Sequence, residues 1–164
     1  MPAKQIVFAI VTFLHDLFTT IWIGGLITLG ITVMPSARKV LGKGPQMKQL
    51  LDAIQKRLSV LVYVSIVGLV LTGMLMANRS SAFQGLFRFN NAYSTVMTLK
   101  HILVLAMMGV ALVRSLGLGR RRGPSTPSQE KLSAGLLFLN ITLGIVVLLL
   151  SGLAAALSSA PLPA

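Results

Sequence analysis

The sequence predicts an all-α integral membrane protein, a four-helix bundle with both termini on the extracytoplasmic side. Three observations predict it: four apolar runs of bilayer length, a scarcity of acidic residues, and basic residues gathered on alternate loops. The chain has 164 residues, of which 54% are hydrophobic and 11% charged, and its mean hydropathy is +0.82. Soluble domains carry about 25% charged residues. So few charges cannot cover a water-facing surface, which excludes a soluble globular fold and, equally, intrinsic disorder. There are 15 Lys and Arg against 3 Asp and Glu, a net charge of +12. In a soluble protein that excess would suggest nucleic acid. Here it reads as loops that orient the chain in a membrane, with lipid and not nucleic acid as the expected partner. Without cysteine, disulfides, thiolate metal sites and iron–sulfur clusters are excluded.

The chain reads as one domain, 1–164, with predicted helices at about 6–34, 58–77, 96–116 and 132–157. A bilayer needs about 20 helical residues to cross about 30 Å of hydrocarbon. The first run is closed by Pro35 and is too long and too polar for a signal-peptide core. None of the runs alternates with period two, so a membrane barrel is not expected. The third connection carries the hinge Gly119-Arg120-Arg121-Arg122-Gly123-Pro124.

Charge sets the direction. Loop one holds Arg38, Lys39, Lys43, Lys48, Lys56 and Arg57, and the third region holds Arg114, Arg120, Arg121, Arg122 and Lys131. The opposite side has only Lys4, Arg79 and Arg88, with Lys100. By the positive-inside rule loops one and three are cytoplasmic and both termini face outward. A multi-pass protein of the cell (plasma or inner) membrane is expected.

Ionisable groups inside a span are costly and so point to function. Both histidines of the chain, His15 and His101, fall within spans. With the assigned direction His15 lies about 13 Å, and His101 about 7 Å, below the outer helix ends at 1.5 Å per residue. Both therefore occupy the outward half. Helical spacing groups His15 with Thr19, Trp22 and Leu26, and Met97 with His101, Leu105 and Met108. Two chemistries suit such faces: bis-imidazole ligation of haem iron, or an imidazole–thioether set for Cu(I). Met74 and Met76 would join the second. Asp16, the one acid inside a span, points about 100° away from His15 and suits a proton or cation relay, or an ion pair with Lys100. Asn140 and the span glycines read as packing features. Three acids cannot furnish a paired-carboxylate hydrolase, and no phosphate cradle, GxSxG or HExxH is present. No catalytic residue is assigned.

The string Leu14-His15-Asp16-Leu17-Phe18-Thr19-Thr20-Ile21-Trp22-Ile23-Gly24-Gly25-Leu26, followed by Pro35, resembles the first helix of the copper resistance D (CopD) domain, H-x6-W-x-G-G. The stretch Tyr93 to Lys100 resembles that family's Y-x6-K segment, and together the two cover about a quarter of the chain. The resemblance implies a membrane protein of copper handling that passes copper across the inner membrane, often with a periplasmic copper-binding partner. HemJ-type protoporphyrinogen oxidases share the H-x6-W spacing and the later lysine, which implies haem b on His15 with Lys100 beside it. Gly24 stands where that group has Ala, so copper leads. The expected copper site is His15, His101 and Met97, with Asp16 as relay. The alternative is a haem b redox protein with His15 and His101 as axial ligands and Trp22 and Lys100 in the cofactor site. The third reading is a cofactor-free membrane assembly subunit. A homodimer is expected, because four thin helices enclose little room.

Overall fold

Proline and glycine decide where the helices begin and stop. The computed structural model describes residues 2–77, 89, 91–118 and 126–159, and all of its regular structure is helical. Helix α1 runs Ala3–Leu41, α2 Pro45–Ala77, α3 Ala92–Leu112 with a continuation over Val113–Leu118, and α4 Pro127–Ser159. The candidate spans Ala3–Leu41, Pro45–Met76, Ala92–Ser115 and Ser128–Ser158 are each long and apolar enough to cross a bilayer. The chain is thus a multi-pass membrane protein by length and composition. Arg79, Arg88 and the 119–124 hinge lie outside the described residues.

Pro35 does not end α1, contrary to the sequence expectation. A proline lacks the amide that would bond the carbonyl four residues back, and its ring crowds that carbonyl. The preceding segment Thr28–Val33 is wound in wider, i→i+5 turns, which spread the carbonyls and let the ring fit. A second widened segment covers Thr20–Gly24. The helix ends instead at Gly42, whose φ of 66° suits a residue without Cβ. The Gly42 amide donates to the Arg38 carbonyl at 3.1 Å. Pro45 then opens α2, where a missing amide costs nothing.

Helices α3 and α4 also begin earlier than expected, because both are capped. The Asn91 side chain accepts from the Ser94 amide at 2.6 Å. Ahead of α4, the Thr126 amide donates to Gln129 Oε1 at 3.1 Å, and the Gln129 amide donates to Thr126 Oγ1 at 3.4 Å. This is a reciprocal capping box, with Pro127 next in sequence to the cap.

The chain divides into two units, Met1–Met76 and Ala77–Ala164. In the first, α1 and α2 form an antiparallel hairpin locked at two glycines. The Phe18 ring lies directly over Gly68 where a Cβ would stand, and a Cβ on Gly25 would come within 2.7 Å of Leu58 Cδ1. Trp22, Ile23, Leu26 and Leu29 of α1 are buried, as are Val62, Ser65 and Thr72 of α2. In the second unit α3 packs on α4. Leu137, Asn140, Ile141, Gly144, Val147, Leu150 and Ala154 form its buried stripe, at the i, i+3, i+4 spacing of one helix face. Buried small and polar side chains of α3, Ser94 and Thr98, accompany Met107.

Candidate functional site

His15 sits in the N-terminal half of α1, half-buried, on the face turned toward α2. Its Nδ1 lies 2.9 Å from Oγ1 of Thr72. Thr72 is 6% exposed, and its Oγ1 is 2.7 Å from the Gly68 carbonyl. A hydroxyl has one proton and a carbonyl can only accept. The short contact to Gly68 therefore takes the Thr72 proton, so Thr72 Oγ1 accepts from His15 Nδ1–H. The neutral ring then carries its lone pair on Nε2. Gly73 stands beside the ring, where a Cβ would reach ordinary contact with His15 Cε1 at 3.8 Å.

His101, on α3, arrives at the same tautomer by a different route. Its Nδ1 lies 2.6 Å from the backbone carbonyl of Met97, one turn earlier. Nδ1 must donate there, and Nε2 again holds the lone pair. Met97 and His101 are both half-buried on one helix face, so a thioether and an imidazole stand one turn apart. Leu105, the next residue along that face, is 58% exposed, whereas Met108 is half-buried. Thus the second unit groups Met97 with His101, and the first groups His15 with Thr72.

The other expected residues separate clearly. Asp16 is exposed, away from the His15–Thr72 contact, and its carbonyl takes the Thr20 hydroxyl at 2.9 Å. Thr19, expected on the His15 face, spends its hydroxyl on the His15 carbonyl at 2.9 Å. Trp22 is 2% exposed, as expected for an interior tryptophan, and its Nε1 has no hydrogen-bond partner among the described residues. Lys100 is half-buried on α3 and is engaged in an interaction. Met74 is 55% exposed, while Met76 is half-buried one turn beyond Thr72.

Thr72, Ser94, Thr98, Ser65 and Arg114 were not singled out from sequence as buried; the last two, at 1% and 8% exposure, have Oγ and Nε unpartnered among the described residues. Arg114, counted above as a loop cation, lies in the widened turns that continue α3. Asn140, read as a packing feature, has both amide atoms buried without a hydrogen-bond partner among the described residues. Among the described residues no three His, Cys, Asp or Glu side chains gather as a metal site.

No protein-family model, curated protein or solved structure gives a significant match to this chain.

Proposed function

We propose that this chain is a four-helix membrane protein that binds or passes copper through imidazole and thioether donors, His15, His101 and Met97. The reading places it in the cell (plasma or inner) membrane, with both termini extracytoplasmic and a periplasmic copper-binding protein as the donor or acceptor of the ion. The observation that carries it is the hydrogen-bond chain from His15 through Thr72 to the Gly68 carbonyl, at 2.9 and 2.7 Å. Histidines that ligate metals characteristically donate their other ring N–H to a neighbouring oxygen, which fixes the tautomer and raises the basicity of the ligating nitrogen. His15 has that support from a hydroxyl and His101 from a backbone carbonyl. Cu(I), as cargo, accepts such neutral nitrogen and sulfur donors and needs no thiol. The protein's part is to set the tautomer of each imidazole through its Nδ1 contact. Asp16, exposed on the N-terminal half of α1, would draw the cation toward that end of the helix.

The same tautomers suit axial ligation of haem b, with Trp22 and Lys100 in that site, so the experiment separates the two. Purified protein is titrated with Cu(I) against a chromogenic chelator, alongside His15→Ala, His101→Ala and Met97→Leu variants. The copper reading expects binding that either histidine variant abolishes and Met97→Leu weakens. A Soret band in the purified protein assigns the imidazoles to haem. Wild-type copper stoichiometry in both histidine variants defeats the site, and neither metal nor haem in native-source protein leaves the assembly-subunit reading.

A further inference from the structure

The register of the first hairpin places two cations at an unexpected level. The contacts His15–Thr72, Phe18–Gly68 and Gly25–Leu58, with the turn at Gly42, belong to one antiparallel pairing. In it the α1 stretch from Leu26 to Leu41 runs alongside Pro45 to Arg57 of α2. Lys56 and Arg57 therefore stand level with about residues 27–29 of α1, within the last third of what the sequence shows as one unbroken apolar run.

Burial shows independently which part of that run faces lipid. Large exposed apolar side chains run from Ile6 to Leu17 on α1 and from Val60 to Leu75 on α2. Between Leu17 and Val60 only Ile31, Val40 and Leu50 are of this kind, whereas Leu26 and Leu29 are each 4% exposed. The lipid-facing belt thus closes near Gly25 and Leu58. That leaves about 20 residues of each helix within it, or about 30 Å, a hydrocarbon core's thickness. Beyond the belt about 13 residues of α2, with the end of α1, form a stalk about 20 Å long.

The stalk carries Arg38, Lys39, Lys43, Lys48, Lys56 and Arg57 against the single acid Asp52. Its exposed cations lie at two distances from the membrane. Lys56 and Arg57 are both exposed and directly precede Leu58, so they fall within the headgroup layer, which is about 5–7 Å thick. Arg38, Lys39 and Lys43, also exposed, lie about 15–20 Å farther along the helices. That is beyond the headgroups plus a Debye length of about 8 Å. Consecutive residues project about 100° apart, so Lys56 and Arg57 cover a wide sector of the α2 surface. Arg adds a planar fork matched to phosphate oxygens, and Lys a point charge.

We propose that Lys56 and Arg57 form a binding collar for the phosphate headgroups of anionic lipid at the basic end of the α1–α2 hairpin. The stalk tip contributes little to it. The collar depends on hairpin register and charge alone, and stands whatever the role of His15.

The test uses the full chain in nanodiscs of phosphatidylcholine and phosphatidylglycerol at about 4:1, with spin-labelled forms of each lipid reporting which is immobilised against the protein. Wild-type protein is expected to prefer phosphatidylglycerol about threefold or more, and the preference should fall as salt screens the headgroups. A K56Q/R57Q variant brings the ratio close to one, K56R/R57K keeps it, and R38Q/K39Q/K43Q keeps it. No preference in wild-type protein, or loss of preference in the tip variant, overturns the proposal. So does a preference retained in folded K56Q/R57Q. Should K56Q/R57Q fail to fold, the wild-type and tip-variant ratios still decide. Binding of soluble polyglutamate that the tip variant abolishes, with no lipid preference, would assign the stalk to an acidic protein partner and likewise overturn the collar.

Discussion

His15 and Thr72 are 57 residues apart in sequence, yet Nδ1 of one and Oγ1 of the other are 2.9 Å apart across the α1–α2 hairpin. The contact orders the imidazole and fixes its proton, and neither residue can do this alone. It also ties a candidate metal ligand to the packing of the hairpin, because Phe18 over Gly68 sits one helical turn from each partner.

Thr72→Val keeps the shape of the side chain and removes the acceptor for His15 Nδ1–H. Loss of such a supporting hydrogen bond typically costs about 10–100-fold in metal affinity. Chelator competition should show that loss for Thr72→Val with an unchanged helical circular dichroism spectrum, whereas Thr72→Ser stays close to wild type. Equal copper affinity in all three proteins would remove Thr72 from the site.

Gly68→Ala places a methyl group where the Phe18 ring lies. Overpacking of this kind costs about 1–3 kcal/mol, and should appear as a lower thermal midpoint in detergent. Phe18→Ala also destabilises, by leaving a cavity, but the double variant should be less damaging than the two single effects combined, since each relieves the other. Strict additivity would show that the ring moves away without cost.

Asn140 is 1% exposed, and its amide atoms have no partner among the described residues. An unsatisfied buried polar group costs about 1–3 kcal/mol. Asn140→Leu, of similar volume and apolar, should therefore raise the thermal midpoint or leave it unchanged. A lower midpoint would mean that the amide is held by a water or ligand whose loss outweighs the relief.

The four helices were legible because the bilayer imposes length and apolarity on any segment that crosses it. Their ends were less so. Pro35 reads as a stop, yet the widened turns of Thr28–Val33 carry the helix past it to Gly42. The start of α4 was legible and overlooked: Thr126 and Gln129 have the spacing of a capping box, which places the helix start ahead of Leu132. His15 and His101 stood out by rarity in an apolar setting. Thr72 did not, because a span threonine ordinarily returns its hydroxyl to its own helix, as Thr12 and Thr142 do here. Only the register between helices reveals that Thr72 also accepts a hydrogen bond from another helix. Arg114 was misplaced for a related reason, since a charge near a span end looks identical in sequence whether it faces water or the interior.

The loosened winding of Thr28–Val33 gives α1 an unusual tolerance. A coil that closes after five residues instead of four accommodates one surplus residue without unwinding. Once Pro35, whose ring the wide turns accommodate, is replaced by Ala, removing the exposed Thr32 should let that stretch tighten into ordinary winding while Trp22 upstream and Ala37 downstream keep their orientations. Hydrogen exchange should then find slower amides there, and a deletion most membrane helices would not survive becomes a nearly silent edit.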